Sequence, residues 1–199
     1  MDPLHRAVYL TGPTASGKTE VGVWLALLLN AEIIAMDSMT LYRGMDIGTA
    51  KPTLEERGGV SHHLIDVIDP WQSASVAQYR HWAEQGVQEI EGRGRLALFV
   101  GGTALYLKAL LRGLFEGPGA HPVTRERLEQ EAKAVGSPAL HRRLSEADPA
   151  LGARLHPNDL RRIIRALEVI ELTGQPLSTL QKEHQQRAPE TTLAFALER

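Results

Sequence analysis

Residues Gly12-Pro13-Thr14-Ala15-Ser16-Gly17-Lys18-Thr19 read G-x-x-x-x-G-K-T, a spacing suited to holding phosphate. Glycines let the backbone curl until successive N–H groups point at phosphate oxygens, and the positive end of a following helix adds to the attraction. Lys18 would set an ammonium among those oxygens, and the Thr19 hydroxyl would face a magnesium ion, Mg2+. The flanks supply the context this motif needs. Ala7 to Thr11 is a short apolar run that reads as a buried strand, and Thr19 to Asn30 is apolar and helix-forming, with Val21, Leu25 and Leu28 on one face. A chance match in a glycine-rich turn would leave that strand–loop–helix order without a reason.

Two more polar clusters close apolar runs. Glu32 to Met36 ends at Asp37-Ser38, and Leu96 to Val100 ends at Gly101-Gly102-Thr103. Proteins that hydrolyse a nucleotide on such a loop usually end a later strand in an acidic residue that helps to hold Mg2+. Leu96 to Val100 ends without one, which counts against a motor or a GTPase. Asp37 is the acidic strand end that remains. It could hold metal through water, act as a base, or serve only as a cap or turn former. Thr103 could bond a substrate atom, since the two glycines before it let a ligand approach the backbone. Residue type alone favours a plainer role for it, the N-cap of a helix over 104–112. A third run, His63 to Ile68, ends at Asp69-Pro70. His62 and His63 are adjacent, so on a strand they face opposite ways and make poor co-ligands. They read as structural or loop histidines, and Trp71, Trp82 and Tyr79 as core or surface fillers.

These clusters need a frame to bring them together. Ser73 to Glu91 reads as a helix with a start signal at Ser73/Ser75 and a stop at Gly92. Strands alternating with helices imply a mainly parallel sheet covered on both faces. Ligands then bind beyond the carboxyl ends of the strands, where the 12–19 loop, Asp37-Ser38 and Gly101-Gly102-Thr103 would converge. At Gly113 the character changes, and Gly117 to Pro122 is a breaker cluster. No good strand follows until Leu180; helices are expected over 123–135, 137–146 and 158–173, the last capped by Asn158 or Asp159 and stopped by Gly174. Thr191 to Leu197 reads as a strand again. The expected fold class is therefore α/β, a P-loop-type mainly parallel sheet flanked by helices, with an all-helical insertion. The boundaries fall at 1–116 for the core, 117–188 for the insertion and 189–199 for a strand returning to the core.

Composition bounds the rest. The 199 residues are 43% hydrophobic and 23% charged, ordinary for a soluble globular protein. No apolar run approaches the roughly 20 residues that span a bilayer. Met1 to Arg6 lacks the layout of a signal peptide, so a cytoplasmic location is the default expectation. The absence of cysteine excludes disulfides and cysteine-bound zinc. Net charge is −2, yet His121 to Arg165 holds nine Lys/Arg against six Asp/Glu. Arg161 and Arg165 share a helix face, with Arg162 beside them, while Ile163, Ile164, Leu167 and Ile170 form much of the apolar side. Arg125, Arg127, Arg142, Arg143 and Arg154 add to the same block. Arginines near a helix start oppose its dipole, a cost that an external anion such as a nucleic-acid backbone would offset. The plainer reading is a solvated face with ion pairs to Glu126, Glu129 or Asp159.

Five stretches carry a family resemblance: "GPTASGKT" at 12–19, "DSMTLYRGMDIGTAKP" at 37–52, "HHLIDVIDP" at 62–70, "GGTALYLKALLRGL" at 101–114 and "HPNDLRRIIRALEVIELTGQPLS" at 156–178. On these the chain, from about Ala7 onward, resembles the tRNA dimethylallyltransferases, also called tRNA isopentenyltransferases. The resemblance implies transfer of a dimethylallyl group from dimethylallyl diphosphate to N6 of adenosine-37 in tRNA. It implies that the loop Gly12 to Thr19 holds the diphosphate, with Lys18 and a Mg2+ at Thr19 stabilising the leaving group, and that Asp37 is the general base. Thr103 would lie near the reacting adenine and donor. Contacts to tRNA would come from Asp37, Ser38, Met39, Thr40, Thr103, Arg125 and the stretch Arg161, Arg162, Ile163, Ile164, Arg165. The adenine would leave its stack to reach the donor, and the helical insertion would grip the anticodon stem-loop by shape and phosphates. The expected partners are tRNA and dimethylallyl diphosphate, with no membrane, for a monomer. Family members continue with more helices, so full activity is expected to need sequence beyond Arg199. A small-molecule or nucleotide kinase and a nucleotide-sensing module without chemistry are the competing classes.

Overall fold

The computed structural model describes residues 2–113, 115, 117–183 and 192–198. They fall into two compact units, Met1–Leu114 with Gln186–Arg199, and Phe115–Gln185. The first unit holds β1 (Val8–Thr11), α1 (Lys18–Leu29), β2 (Ala31–Ala35), β3 (His62–His63), α2 (Val76–Gly92), β4 (Leu96–Val100), α3 (Ala104–Arg112) and β5 (Ala194–Ala196). The second holds α4 (Pro122–Val135), α5 (Ser137–Ala147), α6 (Pro149–Gly152), α7 (Leu160–Thr173) and α8 (Leu177–Glu183).

The five strands pair in the order β3-β2-β4-β1-β5, every pair parallel. β2 and β4 are near-continuous apolar runs because helices cover both faces of a parallel sheet. Val100 pairs with both Leu10 and Ala35, so β1, β2 and β4 end level. That register sets the three polar strand ends side by side. One face carries Tyr9, Ile34 and Phe99 against α2 and α3, with the Tyr9 and Phe99 rings stacked 4.9 Å apart and those of Tyr79 and Tyr106 3.8 Å apart. The other carries Val8, Leu10, Ile33 and Leu98 against α1.

Three local expectations change. In α1 the buried stripe is Gly22 and Ala26, flanked by half-buried Val21 and Leu25, while Leu28 is 66% exposed. Gly22 sets this: a Cβ there would lie 2.9 Å from a Val100 methyl, so the bare backbone lets the helix lie close to β4. The run from His63 to Ile68 forms a strand only at His62–His63. Leu64 and Asp66 adopt positive φ, each +58°, and break the extended path. α2 begins at Val76, where Ser75 rather than Ser73 caps it by accepting the Gln78 N–H at 3.1 Å.

In the helical unit, Leu128, Leu140, Leu144, Ile163 and Leu167 make the core. Asp159, not Asn158, caps α7 by accepting the Arg162 N–H at 3.4 Å. Gly174 closes it in the left-handed conformation. The short helices α6 and α8 were not expected from the sequence. The returning strand is confined to Ala194–Ala196, hydrogen-bonded to β1; Thr191, its expected start, lies outside the described residues.

Candidate active site

β1 runs into the glycine loop, and the loop into α1. Gly17 takes φ +82° at the helix start, a conformation that residues with a side chain rarely adopt. The Lys18 ammonium donates to the Pro13 carbonyl and lies 3.4 Å from Ser16 Oγ, so it rests across its own loop. A cavity of about 570 Å³ opens beside it. Thr14 to Thr19 line it from the loop, Asp37 and Thr40 from the chain after β2, and Gly101 and Gly102 from the chain after β4. Ala50, Pro52, Glu56, His62 and Ile65 complete it from the connection between β2 and α2.

The level strand ends are tied together by backbone. The Met36 N–H donates to the Val100 carbonyl at 2.8 Å, the Gly101 N–H to Leu10 at 3.1 Å and the Thr103 N–H to Met36 at 3.2 Å. A Cβ on Gly101 would stand 2.1 Å from the Met36 oxygen, so only glycine fits. Asp37 follows directly. One of its carboxylate oxygens accepts the Met39 N–H at 2.9 Å, and its carbonyl accepts the Thr40 hydroxyl at 3.0 Å. The residue is thus a turn former and a cavity-lining residue at once. Thr103 occupies the N-cap position of α3 without capping it. Its hydroxyl instead accepts the Ser38 N–H at 3.1 Å, joining the two strand ends through a side chain. Of the loop, Gly12 and Pro13 stand outside the cavity lining, as does Thr103.

The histidines part company. His62 lines the cavity, with Nδ1 2.9 Å from the Val60 carbonyl. Burial holds its pKa below the ordinary 6.5, which keeps the ring neutral at neutral pH. Nδ1 is then the donor, leaving Nε2 as an acceptor. His62 is therefore a site residue that sequence reasoning placed among structural ones. His63 meets Glu32 at 2.6 Å. Arg93 grips that same carboxylate with two bonds, at 2.8 and 3.1 Å, and chiefly for this reason its pKa falls to about 2.

In the helical unit the basic residues divide. Arg161 and Arg162 are exposed, Arg162 pairing with Asp159 at 3.3 Å. Ile163 and Ile164 are buried in the helical core, so the expectation that they touch RNA is corrected for their side chains. Arg125 and Arg165 both bind Glu168, at 2.8 and 2.6 Å, and the His121 N–H donates to it at 2.7 Å. Glu168 is fully buried. Burial alone would raise its pKa, but Arg125, the His121 N–H and Arg165 outweigh that and bring it to about 2. Of the expected acidic partners Asp159 pairs, with Arg162, while Arg127 and Arg143 pair with Glu131 and Glu171 in place of Glu126 and Glu129.

Oxygen donors at the cavity suit Mg2+. Thr19 and Asp37 both line it, and among the described residues no three His, Cys, Asp or Glu gather into a protein cage. That set fits an ion held mainly by a ligand's phosphate oxygens and water.

A parallel sheet whose first strand feeds a phosphate loop, with Asp37 following β2, two strands away across β4, defines a phosphate-loop α/β protein. Comparison with known families narrows this. The model described as IPP transferase matches residues 40–199, and the chain belongs to that family. It is 50% identical over 179 residues to the tRNA dimethylallyltransferase of Geobacter sulfurreducens, covering 90% of this chain and 58% of the relative. It is 52% identical over 190 residues to that of Herminiimonas arsenicoxydans, covering 96% of this chain and 58% of the relative. The chain thus spans about 58% of the length of these curated relatives. Among solved structures, it is similar to the full-length tRNA isopentenylpyrophosphate transferase of Bacillus halodurans, with a TM-score of 0.56 and 50% identity over 86% of this chain and 57% of that one. A eukaryotic dimethylallyltransferase acting on tRNA gives a TM-score of 0.75 at 28% identity, over 96% of this chain and 48% of the other.

Proposed function

We propose that this chain transfers the dimethylallyl group of dimethylallyl diphosphate to N6 of adenosine-37 in tRNA. The observation that carries the reading is one cavity lined by both the phosphate loop and Asp37, while the strand beside the loop ends in glycines. An acid at that strand end serves phosphoryl transfer from a nucleotide. A carboxylate at Asp37 serves instead an acceptor amine that must lose a proton as it attacks carbon.

Loop N–H groups and Lys18 stabilise charge as it gathers on the departing diphosphate. Mg2+, held by Thr19 and the diphosphate oxygens, would add Lewis-acid stabilisation of the same charge. Asp37 takes the N6 proton. Thr103 keeps the chain after β2 in place through Ser38. Arg161 and Arg162 meet RNA phosphates, and the Glu168-anchored Arg125 and Arg165 present their outer edges to the same anion. The protein works as a cytoplasmic monomer; among the described residues no helix is long and apolar enough to cross a membrane.

The test combines the full-length protein, Mg2+, an anticodon stem-loop RNA and labelled dimethylallyl diphosphate. Label should pass to the RNA, and Asp37→Ala should lower the rate by roughly 10²- to 10⁴-fold with RNA binding largely kept. A near-normal rate for D37A would remove the base assignment. Transfer of the ATP γ-phosphate in place of the prenyl group would move the protein to the kinases.

A further inference from the structure

The connection between β2 and α2 lends Thr40, Ala50, Pro52 and Ile65 to the cavity, yet its one strand is His62–His63. So long a stretch with little regular structure needs some other means of keeping its shape. Lys51 supplies one. It lies between two lining residues, and its side chain is 4% exposed. The ammonium donates to the Tyr42 carbonyl at 2.7 Å, to Asp46 Oδ1 at 2.6 Å and to Asp66 Oδ1 at 2.6 Å. An ammonium has three donors, and these acceptors use all of them, so Lys51 holds protein and not ligand.

The points it joins would not stay together unaided. Ala50 and Asp66 adopt φ of +53° and +58°, the left-handed region that L-residues occupy only when their surroundings hold them there. Beside the ammonium, residues 40–43 run along 66–68: the Asp66 N–H donates to Thr40 at 3.0 Å, Val67 to Leu41 at 2.8 Å and Arg43 to Ile68 at 2.8 Å. Thr40 is buried and reaches the Asp37 carbonyl with its hydroxyl. Contacts thus run without a break from Lys51 to the backbone of the proposed base.

We propose that Lys51 is a positioning residue: it fastens the connection so that Thr40, Ala50, Pro52 and Ile65 shape the cavity and Asp37 keeps its place. The kinetic part rests on the prenyl-transfer reading; the structural part does not. The experiment compares wild type with Lys51→Met and Lys51→Arg in three ways. In K51M the amides of Asp66 and Val67 should exchange with deuterium at least about tenfold faster, with β1 and β4 unchanged. Its kcat for transfer should fall at least about tenfold, while inorganic pyrophosphate with Mg2+ binds within about twofold of wild type. K51R, which keeps charge and donors, should recover part of both losses.

An unchanged kcat in K51M would overturn the proposal. So would a kcat loss accompanied by equal loss of pyrophosphate binding and faster exchange throughout the sheet, the mark of general unfolding. Should full-length wild-type protein transfer no label, the functional reading fails, and unchanged exchange at Asp66 and Val67 would still overturn the pin. If K51M does not fold, Asp66→Asn weakens the same junction from the acceptor side and is judged by the same measurements.

Discussion

Replacing Glu168 by Gln tests how the helical unit manages its charge. The wild-type carboxylate is buried among Arg125, Arg165 and the His121 N–H, and its pKa is about 2 against an ordinary 4.5. A carboxyl depressed by folding stabilises the native state above its unfolded pKa and loses that contribution as pH falls through the folded one. The pKa difference corresponds to about 3 kcal/mol at pH 7, falling to about 1 kcal/mol at pH 3. Bond counting agrees in size, since a hydrogen bond to a charged group contributes about 1.5–3 kcal/mol. Gln keeps the shape and one acceptor oxygen but not the charge. E168Q should therefore weaken the unit by about 2–3 kcal/mol at pH 7, and the gap to wild type should shrink to about 1 kcal/mol at pH 3. Because the chain has two units, a single global melt is a poor probe. Hydrogen exchange of α7 amides at pH 7 reads this unit by itself, and urea titration followed by exchange at pH 3 gives the second point. A loss below about 0.5 kcal/mol at pH 7, or a gap that does not narrow in acid, would show that the two arginines hold their places without the carboxylate.

Gly101→Ala forces a methyl to within 2.1 Å of the Met36 carbonyl; it should cost the sheet unit roughly 1–3 kcal/mol of stability and, by moving the adjacent Asp37, lower prenyl transfer about 100-fold. Amide exchange in β2 and β4 and a rate like wild type would show room that the backbone does not. Arg161→Ala and Arg162→Ala should each weaken stem-loop binding and reduce the slope of log affinity against log salt by about 1, as measured by fluorescence anisotropy across salt concentrations. Ile163→Val, in the core, should leave that slope untouched while costing about 1 kcal/mol of stability.

What could be read from sequence followed from local rules. The strand at Leu96 to Val100, the helix end at Arg112 and the closure of α7 at Gly174 depend on apolar runs and glycine, which act within a few residues. The face of α1 did not, because hydrophobicity pointed to Leu28 while packing chose Gly22 and Ala26, where the sheet demands closeness. His62 was misplaced for a similar reason: its neighbour His63 pairs with Glu32, 31 residues away, and nothing nearby says which ring turns to the cavity. Glu168 and Arg125 meet across 43 residues, a pairing that exists only once α4 lies against α7. Charge counting found the basic block and could not tell which arginines would be spoken for. Lys51 sat inside a motif noticed for its family likeness, yet its burial and three acceptors became visible only with the chain folded around it.

The contact between Gly101 and Met36 also bears on which part of the cavity wall can move. Peptide against peptide, with hydrogen bonds on both sides, leaves the mouth nothing to give at the ends of β2 and β4. The connection around residues 40–66 is held differently, by a short run of backbone bonds between 40–43 and 66–68 together with the Lys51 side chain, so any give at the cavity is expected there first.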